Sequence, residues 1–301
     1  MSSANIEYSN QNVDNRWRAK SWRLIVDGAS GGAQNMAVDE ALLRAMSEDL
    51  GAPILRFYGW QPSCLSIGRF QKTEKLSLEN TSWVRRPTGG RAVWHDLEVT
   101  YSVVLREEHL PRDARSVVDS YRFISEGFLR GLQALGVRAE IARGVSASAS
   151  VTSSTRSSQK VQMPEERKEI APNCFETQTR ADFVVDGRKI LGAAQCRQNG
   201  AILQHGSLLL YIDRAAWREK VGGDLSRIIT LRDLGLTISR EELQNILARG
   251  ISQKFDTQME KSDLTARETQ MAKALLHKYH SSLWNETGRE ETAQKLHGYV
   301  V

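Results

Sequence analysis

The pairs Asp186-Gly187 and Asn199-Gly200 stand between runs rich in apolar and β-branched residues. Each suits a two-residue type I′ turn, whose central positions need the positive φ that Asn, Asp and Gly adopt most readily. Together they predict an antiparallel meander of Asp182–Val185, Arg188–Gln198 and Ala201–Ile212.

Short apolar runs upstream predict strands at Trp22–Val26, Ile54–Tyr58, Cys64–Ile67, Trp83–Arg86 and Val99–Leu105. A helix is predicted over Gln34–Ser47, with Val38, Leu42 and Ala45 on one face. In a second helix Val117, Tyr121, Ile124, Phe128, Leu132 and Leu135 advance by three or four, and Gly136 ends it. Past the meander, Arg214–Val301 reads as helical, with capping boxes at Ser239-x-x-Glu242 and Thr265-x-x-Glu268. Residues 1–20 lack apolar periodicity and read as a loose arm. Gly144–Pro172 holds seven Ser and two Thr without an aromatic residue, too little apolar surface to offset ordering, and reads as a flexible insertion. The expected organisation is an arm at 1–20, a catalytic domain at 21–213 interrupted at 144–172, and a helical extension of that domain at 214–301. The fold class is α/β of the α+β type, with mixed sheets packed by helices.

With 40% hydrophobic and 26% charged residues, the 301-residue chain is neither wholly disordered nor membrane-embedded. The opening MSSANIEYSNQNVDNRW lacks the apolar core of a signal peptide, so a cytoplasmic protein is expected. A net charge of +5 is a mild excess that selects no partner class. Cys64, Cys174 and Cys196 include no C-x-x-C pair, so neither a disulfide framework nor a metal site is expected. Cys64 and Cys196 fall in predicted strands and read as packing residues. Regular alternation sets Cys196, seven residues beyond Lys189, on the opposite strand face from that lysine.

Chemistry concentrates around Arg85-Arg86-Pro87-Thr88-Gly89-Gly90-Arg91, followed by His95. Backbone N–H groups bared by glycine and backed by guanidinium forks suit a carboxylate, a phosphate or a thioester carbonyl. On its residues alone the segment reads equally well as a basic hairpin turn. Alternation splits Arg85 and Arg86 between two faces, so at most one of them points into a site.

This segment, with Gly187-Arg188-Lys189-Ile190-Leu191-Gly192-Ala193-Ala194-Gln195 and Gln204-His205-Gly206-Ser207, resembles the biotin/lipoate protein ligase superfamily, in the same order along the chain. Asn173-Cys174-Phe175, fifteen residues before Lys189, is similar to the cysteine-dependent octanoyltransferase branch, the LipM type. The resemblance implies the catalytic-domain fold of that superfamily and a thioester on Cys174, with Lys189 lowering the thiol pKa. It further implies substrate binding by Arg86, Thr88, Gly89, Gly90, Arg91, His95, Gln195 and His205. The donor would be octanoyl-acyl carrier protein and the acceptor a lipoyl-domain protein such as glycine cleavage H protein. No cofactor, nucleic acid or membrane is implied. The chemistry is self-consistent: an ammonium near a thiol favours the thiolate, and exchange of one thioester for another needs no ATP. An apolar tunnel is expected, since seven buried CH₂/CH₃ groups at ~0.8 kcal/mol each give about 5–6 kcal/mol of chain-length recognition. Two alternatives stand beside this reading, an ATP-dependent lipoate or octanoate ligase and a non-catalytic acyl-binding protein. Arg91 where the ligases carry a third glycine, and Cys174-Phe175 where they carry Asn-Asp, favour transfer.

Overall fold

The meander folds as its turn residues require, with φ of 49° and 73° at Asp186 and Gly187 and of 46° and 79° at Asn199 and Gly200. A computed structural model describes residues 17–48, 51–76, 78–142, 182–222 and 224–290. The Ser-rich insertion, Cys174 and the first 16 residues lie outside the described residues.

The strands are β1 (Ser21–Ser30), β2 (Ile54–Trp60), β3 (Cys64–Ile67), β4 (Trp83–Arg85), β5 (Val93–His95), β6 (Glu98–Arg106), β7 (Glu140–Ile141), β8 (Phe183–Val185), β9 (Arg188–Gln198), β10 (Ala201–Leu209) and β11 (Gln258–Lys261). Eight of them form one mixed sheet in the order β11-β1-β2-β6-β10-β9-β8-β7, and β4-β3-β5 form a smaller one. The helices are α1 (Gly32–Ser47), α2 (Val117–Ala134), α3 (Arg214–Lys220), α4 (Arg240–Phe255), α5 (Ala266–His280) and α6 (Ser282–Thr287).

Strand alternation divides the apolar residues between two faces of the large sheet. Leu55, Phe57, Val103 and Ile202 pack on Ile124, Phe128 and Leu132 of α2 and on Leu247 and Ile251 of α4. Ile54, Tyr58, Val104 and Leu203 pack on α1, which is backed by Ala272, Leu275 and Tyr279 of α5. The small sheet lies against Trp217 of α3, through Leu65, Ile67 and Val93. The helix starts follow the sequence signals: Ser239 Oγ accepts from Glu242 N, and Thr265 and Glu268 close a reciprocal box. Among the described residues no helix is long and apolar enough to cross a membrane.

Three expectations are corrected. The segment after the meander is not purely helical, because Gln258–Lys261 adds the edge strand β11, paired parallel to β1. Val93–His95, outside the predicted strands, forms the strand β5. The start of the packed chain precedes residue 21: Trp17 sits edge-on to Phe123, with ring centroids 5.7 Å apart.

Candidate active site

Strands of both sheets and α1 enclose one cavity. Met36, Tyr58, Trp60, Ser66, Val93, Thr100 and Ser207 line it, together with the candidates Arg86, His95 and His205 and the β9 stretch Gly192, Ala193 and Ala194. Its wall mixes apolar side chains such as Met36, Trp60 and Val93 with polar ones such as Ser66, Thr100 and Ser207.

Arg86 is buried and builds the Gly-rich turn from below. Its Nη2 donates to the carbonyls of Gly89 and Arg91, both at 2.8 Å, and its Nη1 donates to Ser66 O at 3.1 Å. With the carbonyls drawn inward, Gly90 takes a φ of 92°, which side-chain-bearing residues rarely adopt. Gly68 packs so tightly on this turn that a Cβ there would lie 1.9 Å from Gly90 O. Arg85 points the other way, into the segment around α6, as alternation requires.

A hydrogen-bonded line runs from the turn into the core. Thr88 Oγ1 lies 2.7 Å from His205 Nε2, and His205 Nδ1 lies 2.9 Å from Asp39 Oδ2. Asp39 also accepts from Arg56 Nη1 at 2.7 Å and from Tyr58 Oη at 2.9 Å. Burial lowers the His205 pKa, and the positive charge of Arg86 and the nearby His95 add to that, against the pull of Asp39. A neutral ring then donates from Nδ1 to the Asp39 carboxylate and accepts the Thr88 hydroxyl at Nε2. Asp39 itself is held below the usual carboxylate range: burial opposes this, but His205 and Arg56 outweigh it.

His95 belongs to a second cluster at the cavity wall. Its Nε2 is 2.7 Å from Ser66 Oγ, its Nδ1 meets Glu98, and its ring stacks on Trp60 at 3.9 Å. Trp60 Nε1 donates to Thr100 Oγ1 at 2.8 Å, which fixes the indole.

Lys189 is fully buried and pairs with Asp182 at 2.8 Å. The expectation of regular alternation along β9 fails here. Phe183 pairs with Leu191 but Val184 pairs with Lys189, so one extra residue bulges in β9, and Ile190 and Leu191 both enter the α2 core. The slip of one residue brings Lys189 to the face that carries Gly192, Ala194 and Cys196. Gln195 does not join the cavity. Opposite Gln204 in the ladder, it faces α2 and meets Ser120 and Gln204.

Burial pushes the thiols of Cys64 and Cys196 up to about 12, the latter also through the carboxylates of Glu40 and Asp39. Both stay protonated at neutral pH and lack the thiolate a nucleophile needs. Asp39, Glu98 and Asp182, which pair with the candidates His205, His95 and Lys189, were not singled out in the sequence. The available signal for Asp39 was an acid within Met36-Ala37-Val38-Asp39-Glu40-Ala41-Leu42-Leu43, a segment apolar on every side of the helix, where a buried carboxylate must find a partner.

Residues 32–253 match the family described as the lipoyl protein ligase A/B catalytic domain. Octanoyltransferase LipM of Kyrpidia tusciae is 41% identical, over 88% of this chain and 98% of that protein. Octanoyltransferase LipM of Bacillus subtilis is 35% identical over the same shares. Among solved structures, a lipoate-protein ligase A bound with ATP superposes with a TM-score of 0.70 at 26% identity, over 89% of this chain and 100% of that one.

Proposed function

Because this chain belongs to the lipoyl protein ligase A/B catalytic-domain family and to its octanoyltransferase branch, we propose that it moves octanoyl groups by way of a thioester on Cys174. The near-full-length match to curated octanoyltransferases carries the reading of octanoyl transfer in lipoate biosynthesis. An acyl donor and a lipoyl-domain acceptor follow from that activity. Octanoyl-acyl carrier protein as the donor and a protein such as glycine cleavage H protein as the acceptor are our more specific assignment.

In the first half-reaction the Cys174 thiolate attacks the carbonyl carbon of the donor thioester. A new C–S bond forms, the donor's C–S bond breaks, and the departing thiolate takes up a proton. In the second, the amine of the acceptor lysine attacks the enzyme thioester. A C–N bond forms, the Cys174 sulfur leaves as thiolate, and the nitrogen gives up a proton. The two thioesters are close in energy, and amide formation runs downhill.

The buried Lys189 ammonium on the cavity face supports its role beside the thiol. Asp182 is eight positions beyond Cys174, a span that chain length limits to about 27 Å. The protonated state of Cys64 and Cys196 supports Cys174 as the nucleophile. The glycines of the turn expose backbone for the acyl carbonyl, and Arg86 holds that backbone in shape.

Incubation with octanoyl-acyl carrier protein, followed by intact-mass measurement, tests the assignment. Cys64→Ala and Cys196→Ala should keep the acyl adduct and Cys174→Ala should lose it. An adduct on Cys174→Ala would refute the thioester at this residue. Transfer to an apo lipoyl domain should proceed without ATP and magnesium, and a strict need for both would replace the transferase by a ligase.

A further inference from the structure

A guanidinium only donates hydrogen bonds and a carboxylate only accepts them, so a chain of hydroxyls and imidazoles strung between the two has one direction. Two such chains run from Arg86 along the cavity wall. In one, Arg86 Nε donates to Thr88 Oγ1 at 3.2 Å, the Thr88 hydroxyl meets His205 Nε2, and His205 Nδ1 meets Asp39. In the other, Arg86 Nη1 donates to Ser66 Oγ at 3.2 Å, the Ser66 hydroxyl meets His95 Nε2, and His95 Nδ1 meets Glu98. An imidazole that carries one proton and gives it from Nδ1 to a carboxylate accepts at Nε2, so each hydroxyl proton is taken by a ring and each ring proton by an acid. The other N–H groups of Arg86 go to the carbonyls of Ser66, Gly89 and Arg91.

The remaining polar side chains of the wall end on the same two carboxylates. Tyr58 Oη donates to Asp39 at 2.9 Å. Trp60 Nε1 donates to Thr100 Oγ1, and the Thr100 hydroxyl donates in turn to Glu98 Oε1. Ser207 Oγ donates to that same oxygen at 2.9 Å. Glu98 Oε2 is buried without a hydrogen-bond partner, so this carboxylate has acceptor capacity to spare. Asp39 and Glu98 are both buried, and neither of them lines the cavity. The donors of the lining side chains are thus committed within the wall, and Met36, Val93, Ala193 and Ala194 make up its apolar part.

We propose that Asp39 and Glu98 are specificity-determining residues: by drawing the donors of the wall to themselves, they turn a cavity built partly from polar side chains into a seat for a saturated acyl chain. That the occupant is an acyl chain rests on the octanoyl-transfer reading. An oxygen carried on the chain would leave its hydrogen bonds to water and meet no free donor from the lining side chains, a loss worth about 10–100-fold in affinity. A plain alkyl chain has no such bonds to lose. Asp39 and Glu98 act through the wall and touch no substrate, so their part is one of positioning.

The test is calorimetric titration of the full-length protein with two acids of matched size, 7-methyloctanoate and 7-oxooctanoate, which differ by a methyl group against a carbonyl oxygen. Their common carboxylate cancels in the ratio of affinities. The wild-type protein should favour the methyl compound by about 10–100-fold. The amide of Glu98→Gln has a single acceptor oxygen and brings donors of its own, so it cannot hold His95, Thr100 and Ser207 together. A freed donor then meets the ketone, and the preference should fall roughly tenfold. A general loss of stability weakens both acids alike and leaves the ratio where it was. Asp39→Asn should act in the same sense, although it also removes the counter-charge of Arg56. An unchanged ratio in Glu98→Gln overturns the proposal. So does a wild-type protein that binds the ketone as well as the methyl compound, an outcome that needs no variant to fold, and so does the absence of binding by 7-methyloctanoate. Neither acid acylates a cysteine, so the ratio is read whether or not transfer occurs, and the acyl adduct on Cys174 tests the transfer reading separately.

Discussion

Lys189 cannot be altered without consequence for Asp182. Both side chains are buried, so Lys189→Met leaves a carboxylate without its counter-charge, a change that typically costs about 3–5 kcal/mol. Loss of the ammonium should also raise the pH at which Cys174 becomes reactive toward iodoacetamide. The double variant Lys189→Met/Asp182→Asn separates the effects: the melting temperature should recover in part, while the alkylation inflection stays above that of the wild type. If the inflection does not move in either variant, Lys189 binds the acyl carbonyl and does not tune the thiol. The Gly-rich turn, Lys189, His95 and His205 could be singled out as candidates in the sequence because each lies in a short local motif. Asp39 was not, because His205, the group that gives it meaning, is 166 residues away. Gln195 was assigned to the site from its motif, and the strand ladder turns it to the other face.

At the scale of elements, the sequence specified what depends on near neighbours. Both hairpin turns, the α2 stop at Gly136 and the caps of α4 and α5 formed where their residues predicted. The edge strand β11 escaped because Gln258–Lys261 is mostly exposed and carries no alternating apolar pattern, and its pairing with β1 supplies the order. The bulge in β9 escaped for a related reason, since a period of two contains no mark of an inserted residue. Arg85 joins elements in a way that no periodicity reveals. Its guanidinium donates to six carbonyls, those of Gly68, Arg69 and Gln71 on one side and of Trp284, Asn285 and Glu286 on the other. Arg85→Met should leave these acceptors short of donors and cost roughly 2–4 kcal/mol. Hydrogen exchange should then quicken in α6 and in the loop after β3 while α2 stays protected. Uniform acceleration across the chain would show that the arginine stabilises the whole fold and not this junction.

For the molecule as a whole, buried charge sets the response to acid. The pKa of His205 is lowered in the folded state, so the unfolded chain takes up a proton near its ordinary value of about 6.5 while the native ring does not. The stability this group confers is complete above that pH and is lost as pH falls toward the folded value. Asp39, Glu40 and Glu268 are also lowered, from ordinary values near 4, and add a second loss further into the acid range. Urea midpoints should therefore be level above about pH 7, fall gently toward pH 5 and fall steeply below pH 4. His205→Gln should remove the gentle phase and keep the steep one. A wild-type profile without the gentle phase would mean that His205 is charged in the native state.

The six-carbonyl junction at Arg85 also has a meaning in time. A ribosome makes Gly68–Gln71 and Arg85 early and Trp284, Asn285 and Glu286 some 200 residues later. Until that last stretch has emerged, the nascent chain can hold the meander, Lys189 and the Gly-rich turn, but the arginine beneath the loop has only half of its acceptors. The loop after β3 is thus finished by residues synthesised long after it, and a product terminated between the two would keep most of the sheet with that loop only half anchored.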